Sequence, residues 1–186
     1  MVRWEPDTRE RLREAALDLY TAKGYADTTV AEIAASVGVT ERTFFRHFAD
    51  KREVLFNGSE VLQEQFVDGV ASAPAGTAFE IVMHAVLSAV TFFPEERRPY
   101  SRRRQAMIVA NPELMERELN KMAGLVTALG VALRERGVVE PDATLAAESA
   151  VTVFRLAFEE WVAPSSTRTL AEIERSLFAA LRSLAR

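Results

Sequence analysis

Apolar residues recur at threes and fours along most of the chain, the period of an amphipathic helix, and no stretch alternates long enough for a sheet. An all-helical fold is therefore predicted. A first helix is expected over residues 8–23, with Leu12, Ala16, Leu19 and Tyr20 as its buried stripe and Gly24 as its stop. Val30, Ile33, Ala34 and Val37 fall at i, i+3, i+4 and i+7 and predict a second. Thr29 is placed to cap it, Glu32 completes a capping box, and Gly38 follows its last apolar position. Thr40 then caps a third helix over about 41–48. Helix, short glycine-containing turn and helix make a helix-turn-helix. Asp50 caps the next element, which the spacing predicts as one continuous helix from about 51 to 73.

The run Ala73-Pro74-Ala75-Gly76 interrupts the pattern, and a second helical part follows. The expected division is residues 1–56 as the N-terminal three-helix domain and 57–186 as a C-terminal helical domain for effector binding and dimerisation. Helices are predicted over 77–93, from the charged loop 94–99 to about 110, from Pro112 to near Gly137, from Pro141 to before Pro164, and over about 168–185. Leu170, Ile173, Leu177 and Leu181 repeat at threes and fours, and Phe154 stands on the apolar helix before them. Such a seam fits a monomer core or a second copy equally. The helix-turn-helix favours the second copy, because this motif commonly reads two half-sites through a two-fold pair.

Candidate chemistry concentrates in the third helix. Phe44 and Phe48 stand four apart and mark its buried side. Arg42, Thr43 and Arg46 lie opposite, a face that suits a major groove, since arginine bonds a guanine edge with two donors or reaches a phosphate. Phe45 and His47 flank this face and are expected against the sugar–phosphate backbone. Thr29, Thr40 and Lys51 sit at helix starts, where hydroxyl, N–H and ammonium groups can clamp a phosphate.

These residues come with a longer ordered set: Ala15-Ala16-Leu17, Leu19-Tyr20, Lys23-Gly24-Tyr25, Thr28-Thr29-Val30, Glu32-Ile33-Ala34, Gly38-Val39-Thr40, Thr43-Phe44-Phe45, Phe48 and Lys51-Arg52-Glu53-Val54-Leu55. In order and spacing, the segment from about 8 to 56 resembles the DNA-binding domain of the TetR family of bacterial transcriptional regulators. The likeness covers about a quarter of the chain; the rest matches in length and helical character. It implies a homodimer held by two helices from each chain, bound to a palindromic operator in double-stranded DNA. Repression by blocking a promoter is the family's usual mode. The family usually has tyrosine where Phe45 stands and uses its hydroxyl on a phosphate, a bond that Phe45 cannot make.

Charge changes the picture. The net charge is −4, and acids outnumber cations within the first fifty residues, which counts against a strongly basic nucleic-acid binder. Any DNA contact must come from the placement of a few cations. Arg3 and Trp4 belong to an N-terminal arm whose default is a disordered terminus and whose alternative is a flanking DNA contact. The absence of cysteine excludes disulfides and thiolate metal sites and fits a reducing cytoplasm. The start carries no signal-peptide pattern, and no run approaches the ~20 apolar residues of a membrane span, so no membrane association is expected.

Phe79, Met83, Met107, Phe154, Phe158 and Trp161 are candidates to line a small-molecule effector site, although each taken singly is more ordinarily core. Arg97, Arg98, Arg102, Arg103 and Arg104 invite an anionic head group, with a solvated charged face as the default; the expected effector is apolar or an amphipathic anion. His84 is a pocket hydrogen-bonder or a core histidine with a local partner. With two histidines, no Gly-rich phosphate loop, no metal-ligand spacing and no GxSxG, neither an enzyme nor a cofactor is expected. The competing class is a helical interaction module whose helix-turn-helix binds protein instead of DNA.

Overall fold

Threonine sets three of the helix starts. The hydroxyls of Thr29, Thr77 and Thr169 accept from the N–H three residues on, and Glu32, Glu80 and Glu172 return a bond to each cap's own N–H. The computed structural model of the chain describes residues 7–184 and is all-helical; the arm with Arg3 and Trp4 lies outside these residues. Its α-helices are α1 Thr8–Lys23, α2 Val30–Ser36, α3 Glu41–His47, α4 Glu53–Phe56, α5 Ser59–Ser72, α6 Ala78–Ser88, α7 Arg98–Ala110, α8 Pro112–Glu135, α9 Asp142–Val162 and α10 Leu170–Leu184. Short 3-10 turns at Ala89–Phe92 and Glu95–Arg97 join α6 to α7. No single helix among the described residues is long and apolar enough to cross a membrane.

The chain forms two compact units. One runs to Asn57 and takes in Arg103–Glu118; the other comprises Gly58–Arg102 and the chain from Leu119 onward. A division at residue 56 therefore does not describe the first unit, because a segment some fifty residues later packs with it. Leu12, Ala16, Leu17, Tyr20, Ile33, Phe44, Val54 and Leu55 are buried to 1% exposure or less and form its core. Leu17 takes the fully buried place expected of Leu19, which is half-buried.

The expected continuous fourth helix is two. Asn57 leaves the helical region at φ −59°, ψ 131°, and Gly58 follows at φ 92°, a left-handed conformation open to glycine at little cost. Apolar positions on both sides of the break hide it from a periodicity reading.

In the second unit α5 and α6 lie closest together. A Cβ on Gly69 would stand 2.7 Å from the Ala85 Cα and 2.6 Å from the Ser88 Oγ, so glycine permits this approach. Around the pair, Phe66, Phe154, Phe158, Trp161 and Phe93 build an aromatic core with ring centroids 5.3–6.1 Å apart in the paired contacts. Arginines finish two helices: Arg136 donates to the carbonyls of Val70 (2.7 Å) and Ala73 (2.6 Å), and Arg102 to Val162 (2.7 Å) and Ala163 (3.2 Å).

Candidate nucleic-acid interface

The turn between α2 and α3 is closed by backbone bonds from Gly38 to Ala35 and from Val39 to Ala34, both 3.0 Å. Thr40 then opens α3 by accepting from the Thr43 N–H at 3.3 Å, as its position predicts. Phe44 and Phe48 anchor the helix with rings 5.3 Å apart, the first fully buried and the second 4% exposed. Arg9 of α1 lies over the Phe48 ring at 5.7 Å.

Anchoring by these two rings decides which side chains point outward. Glu41, Arg42, Phe45 and Arg46 are exposed, whereas Thr43 and His47 are half-buried. The His47 Nε2 atom is buried without a partner among the described residues, so it is not available at the surface. Phe45 moves from the flank into the outward face: its ring is 52% exposed and rests edge-on against Phe44 at 5.5 Å. Neither the Arg42 nor the Arg46 guanidinium has a partner among the described residues.

Four of the nine acids among the first fifty residues are held in ion pairs. Glu10 pairs with Arg13, Asp18 with Arg103, Glu32 with Lys23 and Asp50 with Arg52. Hydrogen bonds from Lys23 and Thr29 hold the Glu32 carboxyl down at about 2. That ionised carboxylate shares the start of α2 with Thr29, whose hydroxyl donates to it at 2.9 Å. A phosphate at Thr29 would meet a negative charge, which disfavours the clamp expected there. Thr40 has no such neighbour: its hydroxyl is exposed and 3.2 Å from that of Thr43.

Lys51 is occupied as well. Its ammonium donates to the carbonyls of Tyr25 (2.9 Å), Thr28 (3.1 Å) and Ala26 (3.3 Å) and stands 4.4 Å from the centre of the Tyr25 ring. Three donors on three carbonyls leave none for a phosphate. The side chain ties the α1–α2 connection to the segment after α3, and the Tyr20 hydroxyl secures the Lys51 carbonyl at 2.7 Å. Lys51→Met is thus expected to cost about 1.5–3 kcal/mol in urea unfolding, the range for hydrogen bonds to a charged group. The salt slope of DNA binding should stay where it was; a slope lowered by one with stability intact would return Lys51 to the phosphates.

The second unit redistributes the other expected sites. Leu170, Ile173 and Phe154 are 1%, 0% and 6% exposed and pack into the core of this chain, which leaves little of their surface for a second copy. Leu177 and Leu181 are half-buried against the same core. Among the described residues, the large apolar side chains of α9 and α10 that stay exposed are Leu145, Leu156 and Leu184, the last of them continuing the stripe of threes and fours in α10. Phe154, Phe158 and Trp161 come together as packed core. Phe79 stacks on Phe178 at 5.6 Å under the Arg182 guanidinium. Met107 belongs to the first unit, with its sulfur 3.2 Å from the Asn111 amide. Of the six effector candidates, Met83 lines an open cleft of about 510 Å³, beside Pro74, Ala75, Glu80, His84 and Leu87.

Four of the five arginines are engaged within the fold, and Arg97 is exposed. Arg98 reaches the Ser166 carbonyl (3.1 Å) and covers the Trp161 ring at 5.2 Å, Arg102 finishes α9, Arg103 pairs with Asp18, and Arg104 donates to the Leu55 carbonyl (2.6 Å) and to Glu118 (2.9 Å). An anionic head group would have to displace these bonds.

The family described as bacterial regulatory proteins, tetR family, matches residues 12–57, the span from the α1 core through α4. The HTH-type transcriptional regulator TcmR of Streptomyces glaucescens is 46% identical over 69 residues, covering 37% of this chain and 30% of its own length. The transcriptional regulator MftR of Mycobacterium tuberculosis is 27% identical over 132 residues, 70% of this chain and 67% of MftR. The chain thus spans less than a third of TcmR and about two thirds of MftR. A solved TetR-family transcriptional regulator from Syntrophomonas wolfei shares the fold over 95% of this chain and 94% of its own, with a TM-score of 0.66 at 18% identity. The helix-turn-helix built on the Phe44/Phe48 anchor thus matches the DNA-binding domain of the tetR family of bacterial regulatory proteins over residues 12–57, and the all-helical chain shares the fold of a solved TetR-family regulator.

Proposed function

We propose that the protein is a homodimeric repressor that binds a palindromic operator and is released from it by a small-molecule effector. The observation that carries this reading is the outward face of α3. Two guanidiniums without a partner among the described residues, Arg42 and Arg46, stand beside an exposed aromatic ring on a helix narrow enough for the ≈ 12 Å major groove. Thr40 and Thr43 offer hydroxyls at the start of that helix, toward the phosphates. Dimerisation is assigned to the exposed leucines of α9 and α10, Leu145, Leu156 and Leu184, in place of the buried seam. For the effector, the open α6 cleft at Met83 and Leu87 has the volume of a small-molecule site and a mainly apolar lining with the Glu80 carboxylate and His84 among its walls, which disfavours an anionic ligand.

The test is selection of bound sequences from random duplex DNA with the full chain. Enriched inverted repeats are expected, with half-site centres about one helical turn, ~34–36 Å, or a multiple apart. On the best site, Arg42→Ala should lose about 1–3 kcal/mol and relax preference at one base position. Equal losses on all sequences would assign Arg42 to a phosphate. Failure to enrich any sequence would leave a protein-binding helix-turn-helix as the better account.

A further inference from the structure

We infer that Phe45 is a specificity-determining residue that reads the 5-methyl group of a thymine in each half-site. This rests on the proposal that α3 enters the major groove, and adds which base the exposed ring selects.

Phe45 is a large apolar side chain with 52% of its surface in water, although the first unit has a buried apolar core. Its place on the helix explains the exposure: Phe44 and Phe48 take the inward side, and Phe45 projects between Glu41 and Arg42 on one turn and Arg46 beside it. The edge-on contact with Phe44 holds the ring in place, so little side-chain freedom remains to be lost on binding. Phenylalanine has no hydrogen-bonding atom, so it can offer nothing to a phosphate or to the polar atoms of a base edge. The one apolar group on the floor of the major groove is the thymine methyl, which phenylalanine is suited to contact. Arg42 and Arg46, both exposed on the same helix, supply the polar contacts that hold it at that depth.

Deoxyuridine differs from thymidine by that methyl alone and keeps the base pair. With the selected operator, a scan placing deoxyuridine at each thymidine in turn is expected to find one position per half-site where binding weakens about four-fold, the value of one buried methyl. Replacement in both half-sites should give roughly fifteen-fold. In Phe45→Ala the penalty at that position should vanish while penalties at other bases persist. Because Phe45 is exposed, the variant should fold, which its far-ultraviolet circular dichroism checks; Phe45→Leu, still apolar, should retain part of the discrimination. A flat deoxyuridine scan with normal operator binding would overturn the methyl reading and leave the DNA-binding proposal standing. So would a Phe45→Ala variant that loses affinity equally on all sequences, which would place the ring on the backbone. Absence of any selected duplex would remove both proposals together.

Discussion

Replacing Glu174 by glutamine should stabilise the protein by about 3–5 kcal/mol at pH 8 and change it by no more than about 1 kcal/mol at pH 5. Glu174 stands on α10 between Ile173 and Phe178, is 1% exposed, and has an Oε2 atom without a hydrogen-bond partner among the described residues. Burial pushes its carboxyl up to about 8, and the neighbouring Arg175 offsets this only in part. An acid whose pKa is higher folded than unfolded binds its proton more tightly in the native state. Its stabilising effect is complete below the unfolded value near 4.5, shrinks as pH rises, and is gone once pH passes about 8. The carboxyls of Glu32, Glu80, Glu172 and Asp50 are shifted downward and titrate below that window, so they do not mask the slope. Urea unfolding of both proteins at half-unit steps from pH 5 to 9 measures the difference. Parallel curves would mean that Glu174 reaches water or a cation in solution.

Trp161→Ala should lose about 3–5 kcal/mol, the usual cost of emptying a buried tryptophan site. Trp161 is fully buried, its ring lies 5.7 Å from Phe158 and 6.1 Å from Phe93, and its Nε1 donates to Glu95 at 3.1 Å. The Arg98 guanidinium above the ring would lose its aromatic partner as well. For a chain of 186 residues each kcal/mol is worth roughly 2–4 °C, so Tm should fall by about 6–20 °C. The same measurement separates a packed core from the wall of an effector cavity. A wall residue already faces empty space, and truncating it would cost little. A loss below about 1 kcal/mol would therefore return Trp161, Phe154 and Phe158 to the ligand site.

Much of the first unit was legible because its determinants are local. Thr29 with Glu32, Gly38 and Thr40 act within four residues of themselves, and α2, the turn and α3 stand where those residues place them. Phe44 and Phe48, one turn apart, announced the buried side of α3, and so the exposure of Arg42 and Arg46. The breaks at Pro112 and Pro141 and the short segment before Pro164 marked the long helices in the same way. Glu174 was also within reach: it occupies a place in the 170–173–174–177–178 stripe, whose period alone puts its carboxyl toward the core.

Tertiary structure decided what depends on residues far apart in the chain. Asp18 and Arg103 are 85 positions apart, Glu53 and Arg117 are 64, and no periodicity carries such pairings. Such pairings decide which cations are engaged within the fold: Arg103 and Arg117 are tied to Asp18 and Glu53, and Lys51 is held by three carbonyls. An apolar stripe announces that a helix will be covered without saying by what. The sequence alone could not tell that Leu170 and Ile173 turn toward their own α9 and α6 instead of a second chain. Nor could it tell that Phe154, Phe158 and Trp161 pack against one another. Period specifies which face is buried; only the packed partners specify against whom.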